Sequence, residues 1–134
     1  MDVLISPADK ADLKQCGRWY VEQEKIKHFF PSFHLLGGQA GVSKCKGTLT
    51  NNWDNTWDVE LTKLEDYPYS QPVAFVNGLQ PTPHMYRTGN ICYMNPQVWH
   101  PERCTLAFVI GKIAIYLNKY EVYIRNGTWP GVEE

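Results

Sequence analysis

The sequence predicts an α+β domain: an N-terminal helix, a four-stranded antiparallel meander, a long active-site-type loop and a C-terminal helix. Three observations carry this. Apolar residues recur at helical spacing near both ends of the chain. Four short strand-like runs, separated by brief connections, fill the middle. A proline-rich stretch over 78–105 then separates the last run from the final helix. Strands joined by short connections pair with their neighbours, so the meander is antiparallel with helices packed on one side.

Taken in order, residues 8–30 read as helix. Leu13, Cys16, Tyr20, Ile26 and Phe30 fall near one face, and Lys, Glu and Gln fill the other. Gly17 weakens this helix by about 1 kcal/mol, and Pro31 stops it. The strands follow at 32–37, 44–50, 57–64 and 72–78. In the third, Trp57, Val59, Leu61 and Lys63 alternate onto one face. The fourth closes at Asn77-Gly78. The loop over 78–105 carries Pro81, Pro83, Gly89, Pro96 and Pro101; a loop of this length inside a compact domain is usually functional. In the last helix Leu106, Val109, Ile110, Ile113, Leu117 and Tyr120 form the buried stripe, and Gly127 is the expected stop.

Bulk properties exclude several classes. A chain of 134 residues suits one domain over 1–134. Thirteen basic and 14 acidic side chains give a net charge of −1 with no basic run, so a nucleic-acid backbone site is not expected. No stretch reaches the roughly 18 apolar residues of a membrane span, and the start lacks a basic n-region followed by an apolar run. A cytoplasmic location with reduced cysteines is the expectation. The cysteine and histidine spacings match no common zinc pattern, so neither metal nor cofactor is expected.

Of the four cysteines, Cys16, Cys45 and Cys104 read as core or semi-buried. Cys92 differs because it stands in the long loop, after flexible Gly89, between Asn90 and Asn95. His84 precedes it by eight residues and His100 follows it by eight. Residue types alone leave two readings open, a nucleophile and an inert buried thiol.

The order of motifs in the second half separates them. Tyr67, Pro68 and Pro72 form a Tyr-Pro-x-x-x-Pro element; His84, Gly89, Ile91 and Cys92 follow at fixed spacing; Trp99 and Pro101 come next; and Thr105, Leu106, Val109 and Ile110 open the last helix. Over about residues 57–125 this series resembles the ubiquitin-conjugating (UBC) enzymes. Leu117, Tyr120, Glu121, Asn126-Gly127, Trp129 and Gly131, with the Phe-Phe-Pro-Ser-Phe start of the meander, are similar to the bacterial ubiquitin-conjugating-like proteins of type II CBASS antiphage operons. No activating domain fits in the chain, so the stand-alone form is implied. The chain is also expected to end after the crossover helix, without two further helices of many relatives, and Glu133-Glu134 reads as a solvated end.

The resemblance implies a UBC-like fold in which Cys92 holds an acyl group as a thioester. The implied donor is the C-terminus of a protein partner, a CD-NTase cyclase or a ubiquitin-like protein, activated by a separate enzyme. The competing implication is a catalytically inactive UBC-fold binding module that recruits or regulates a partner. One departure stands out. The family's His-Pro-Asn is here His84-Met85-Tyr86. Tyr86 then stands where the oxyanion-stabilising Asn would be, as a phenol donor or as loop packing. Asn90 and Asn95 are rival donors. His84 and His100 are candidate bases, with a structural role for the first and an exposed bystander for the second as the alternatives. Trp129 either caps the core or touches a partner.

Overall fold

The computed structural model describes residues 1–131, so the Glu133-Glu134 end lies outside the described residues. A 3₁₀ turn at Pro7–Asp9 leads into α1 (Lys10–Cys16) and α2 (Arg18–Phe29). The sheet follows as β1 (His34–Gly38), β2 (Gly41–Thr50), β3 (Thr56–Thr62) and β4 (Val73–Val76), in spatial order β1-β2-β3-β4, every pair antiparallel. After the loop comes α3 (Leu106–Asn126). The α+β meander is as the sequence predicts.

Register places the core. Cys45 pairs with Leu61, Leu49 with Trp57, Leu61 with Ala74 and Val59 with Val76, which sets these side chains on one face. Against that face packs the α3 stripe of Leu106, Val109, Ile110, Ile113, Leu117 and Tyr120, all buried. The opposite face carries charge: Glu60 pairs with Lys44 at 3.1 Å and with Lys46 at 3.8 Å. Thr105 caps α3 by accepting the Phe108 N–H on its hydroxyl, and Gly127 in the left-handed region ends it.

The N-terminal helix departs from expectation. It is two helices, broken at Gly17, whose φ of 88° suits glycine and not an L side chain. The break turns part of the expected apolar face outward, while Ile26 stays in the core and Phe30 packs against it. Cys16 and Tyr20 are exposed, and the buried residues of α2 are Val21, Glu22, Lys25 and Ile26. Cys16 is therefore not a core thiol. Lys63 also leaves the expected face. It lies beyond β3 in the left-handed region (φ 58°), and Leu64 is buried after it.

Burying Glu22 and Lys25 requires partners, and both have them. The Lys25 ammonium reaches the Asp9 carboxylate at 3.0 Å, the Leu4 carbonyl at 3.1 Å and the Asp2 carbonyl. The Glu22 carboxylate accepts from Arg18 Nε at 2.8 Å, from the Leu106 N–H at 2.9 Å and from the Tyr67 hydroxyl. It thus joins α2 to the first amide of α3 and to the turn after β3. At the other end of α3, Glu121 accepts from Asn51 at 2.9 Å and Asn55 at 2.6 Å, tying the β2–β3 turn to the helix.

Two outcomes follow. Glu22→Ala strands a guanidinium, a phenol and a helix amide, so a denaturant melt should show a loss of about 3–5 kcal/mol, the cost of breaking a buried ion pair. The Asn51 and Asn55 amides hold the Glu121 carboxyl below its ordinary value. Its contribution is present above the ordinary carboxylate range and is lost as pH falls through the lowered folded value. Glu121→Gln should therefore show a shallower fall in melting temperature below about pH 4.5 than the native protein; equal slopes would contradict this.

Candidate active site

The loop between β4 and α3 is fastened at many points. The Asn77 amide donates to the Asp58 carbonyl at 3.0 Å and the Gln80 amide to the Tyr120 hydroxyl at 2.9 Å. The Thr82 and Tyr116 hydroxyls lie 3.3 Å apart. His84 then adopts φ 64°, a left-handed conformation uncommon outside glycine and costing of order 1–3 kcal/mol. That turn lets its carbonyl accept both the Cys92 N–H at 2.7 Å and the Tyr116 hydroxyl at 3.3 Å.

Residues 85–91 form a small hairpin. Met85 and Ile91 bridge in antiparallel fashion, the Tyr86 N–H donates to the Asn90 carbonyl at 2.9 Å, and the Gly89 N–H donates to the Tyr86 carbonyl at 2.9 Å. Gly89 has φ 92°, which the tight turn demands. The Ile91 N–H donates to the Ala74 carbonyl at 2.9 Å, fixing the hairpin to β4. Ile91, Tyr93 and Met94 are buried, and Cys92 between them is only partly so. The Tyr93 hydroxyl donates to the Pro72 carbonyl at 2.5 Å, and burial raises its pKa.

The loop's second arm is held by the N-terminal half of the chain. Trp99 Nε1 donates to the Pro68 carbonyl at 2.9 Å, beside the cis Tyr67-Pro68 bond. Trp19, Tyr67 and Trp99 pack in series, with ring centroids 5.4 and 5.9 Å apart. The Arg18 guanidinium donates to the Pro101 carbonyl at 2.8 Å and to the Cys104 carbonyl.

Two clefts meet at Cys92. One lies against β4, lined by Gln71, Pro72, Val73, Tyr86, Asn90 and Pro96. The other lies against α3, lined by His84, Lys112, Ile115, Tyr116, Lys119 and Trp129. At their junction the half-exposed Tyr86 phenol donates to the Cys92 sulfur at 3.5 Å. The hydrogen bond to the sulfur raises the Tyr86 pKa from its ordinary value.

The structure thus brings together Cys92, Tyr86, His84 and Asn90. The Asn90 Oδ1 accepts from the Thr88 hydroxyl, which turns its Nδ2 donor end the other way. Asn95 instead caps the 3₁₀ turn Pro96–Val98 by accepting the Gln97 N–H at 2.9 Å. The His84 ring packs on Trp129 at 4.9 Å. Trp129 also meets Tyr116 and Tyr123, so it covers the core and walls the α3-side cleft together. His100 lines neither cleft; its carbonyl accepts the Arg103 and Cys104 amides in a surface turn. Lys112, Ile115, Tyr116 and Lys119 were not legible as site residues. They flank the core stripe of α3, and only the path of the loop shows which flank faces Cys92. Among the described residues no group of three or more His, Cys, Asp or Glu could hold a metal ion, and no helix is long and apolar enough to cross a membrane.

The thiols differ in access. Cys104 is buried, its sulfur accepting the His100 N–H at 3.4 Å, and burial lifts Cys45 to about 12. Iodoacetamide followed by peptide mass mapping should label Cys16 and Cys92 in the folded protein, and Cys45 and Cys104 only after unfolding.

A family model described as "Type II CBASS E2 protein" matches residues 22–134. Among solved structures, the chain is similar to the yeast vps23 UEV domain in complex with a vps27 PSDP peptide: 14% identity, 100% of this chain and 99% of that chain covered, TM-score 0.57. It also matches a ubiquitin conjugating enzyme E2 from Plasmodium falciparum, at 14% identity over 74% of this chain and 96% of that one, TM-score 0.48. At such identity the vps23 likeness shows a shared UBC/UEV fold alone. No curated protein matches the chain.

Proposed function

This chain belongs to the type II CBASS E2 family, and from that premise we propose that Cys92 is an acyl carrier for the C-terminus of a protein partner. The observation that carries the reading is the Tyr86 phenol directed onto a partly exposed Cys92 sulfur where two clefts meet.

The chemistry runs in two transfers. The Cys92 thiolate attacks the activated C-terminal carbonyl of the partner, the leaving group departs, and a thioester forms. An amine or a second thiol then attacks that carbonyl. Its proton goes to solvent, the C–S bond breaks, and Cys92 is regenerated. Activation of the carboxyl is the task of a separate enzyme, and a CD-NTase cyclase is the partner the family membership favours.

Both transfers pass through a tetrahedral oxyanion that needs donors. The Cys92 amide does not serve, because the His84 carbonyl already takes its hydrogen at 2.7 Å. Tyr86 does serve. Its phenol is protonated, exposed and already at the sulfur, so a small rotation carries its O–H to an oxygen on the carbon bonded there. Asn90, oriented by Thr88, is the second donor in the same cleft. His84 is a positioning residue, acting through its carbonyl and not its ring. A base beside Cys92 is not required for the second transfer when the attacking group is itself a thiolate.

Intact mass spectrometry of the protein mixed with its cyclase and an activating enzyme tests this. The native protein should gain a reductant-cleavable adduct, and Cys92→Ala should gain none. Tyr86→Phe should bind the partner equally but turn over more slowly, by about tenfold or more, toward the roughly 10²-fold cost of losing one oxyanion donor. An unchanged rate would leave the phenol a packing group.

A further inference from the structure

The two clefts at Cys92 differ in size. The β4-side cleft encloses about 230 Å³ and the α3-side cleft about 50 Å³. Trp129 narrows the second. A helix continued past Asn126 would carry residue 129 about 20 Å along the axis from Tyr116, at 1.5 Å per residue. Instead Gly127 takes the left-handed region at φ 79°, its N–H donating to the Tyr123 carbonyl at 2.7 Å, and the Thr128 N–H donates to Asn126 Oδ1 at 3.0 Å. The chain turns back. The Trp129 ring then lies 5.0 Å from the Tyr116 ring on α3 and 4.9 Å from the His84 ring on the loop, centroid to centroid. One indole thus spans both banks of the cleft beside Cys92. At roughly 10–15 Å³ per water-sized group, the space left holds about three or four non-hydrogen atoms.

We propose that Trp129 is a specificity-determining wall, which limits the acyl donor's last residue to one with little or no side chain. The proposal rests on Cys92 as the acyl carrier and adds what the carrier accepts. The geometry of the bond chooses the cleft. The carbon bonded to sulfur in a thioester is planar, so its oxygen and its α-carbon point to opposite sides. The oxyanion donors Tyr86 and Asn90 line the β4-side cleft. An oxygen directed to them sends the α-carbon into the α3-side cleft, between Tyr116 and Trp129. A glycyl group places only its α-carbon and nitrogen there. A leucyl group adds four carbons, more than the remaining space holds, and overfilling a packed site is destabilising. The larger β4-side cleft stays open to the attacking group.

The test uses 2-mercaptoethanesulfonate thioesters of one acetylated peptide, differing only in the last residue: glycine, alanine or leucine. The protein carries Cys16→Ser so that Cys92 is the one accessible thiol. Loading of Cys92 is followed by intact mass. Each rate is divided by that peptide's rate with free N-acetylcysteine, which removes the intrinsic reactivity of the thioester. With Trp129 in place the glycine peptide should load faster than the leucine peptide by about tenfold or more, the scale on which a fitted site discriminates by methylenes. Alanine should fall between. Trp129→Ala should bring the glycine-to-leucine ratio close to one, and Trp129→Phe should give an intermediate ratio. Both rates in a ratio come from one sample, so any loss of folded protein cancels. A ratio of one with Trp129 in place, or an unchanged ratio in Trp129→Ala, would overturn the sieve and leave Cys92 as carrier intact. Failure of every peptide to load Cys92 would overturn both.

Discussion

The Glu22 carboxylate is the contact on which the rest of the architecture depends. It is fully buried and accepts from the Arg18 guanidinium, the Tyr67 phenol and the first amide of α3. A buried anion is tolerated only when paired and hydrogen-bonded on every side. The N-terminus of α3 is a favourable place for it, since unpaired amides and the helix dipole both favour negative charge. Through this one group α2, the turn after β3 and the entry to α3 are locked together. Arg18 extends the lock to the Pro101 and Cys104 carbonyls, which end the loop that carries Cys92.

The loop is thus held at both ends by polar contacts to regular structure. Tyr116 and Tyr120 of α3 fix its beginning, and the Arg18–Glu22–Tyr67 network fixes its end. Between them the hairpin at 85–91 hangs on β4 by one amide of Ile91. The left-handed backbone at His84 is the local cost of this arrangement, and what it yields is a carbonyl that pins the Cys92 amide. The thiol then sits on a rigid frame with its flanking residues buried, which is the condition for placing a nucleophile reproducibly.

Much of this was legible in the amino acids. The α3 stripe, the alternation of Trp57, Val59 and Leu61, and the four-strand order follow from periodicity, because burial on one face imposes it. The step from His84 to Cys92 and the Trp99-x-Pro101 element located the loop and its candidate nucleophile. The N-terminal helix was legible only in part. Periodicity assumes that buried positions are apolar, and the inward face of α2 holds Glu22 and Lys25 instead, while Gly17 resets the phase before it. The pairing of Tyr86 with Cys92 was readable as a substitution but not as a contact, since the hairpin that folds the phenol back depends on a bridge between Met85 and Ile91.

The most direct measurement is the location of the covalent bond. Tryptic cleavage after Arg87 and Arg103 isolates residues 88–103, in which Cys92 is the sole thiol. After reaction with the cyclase and an activating enzyme, quenched at low pH without reductant, this account predicts that peptide carrying the partner's C-terminal residues through a thioester. An adduct found instead on Cys16, or an association with no covalent bond at all, would contradict it.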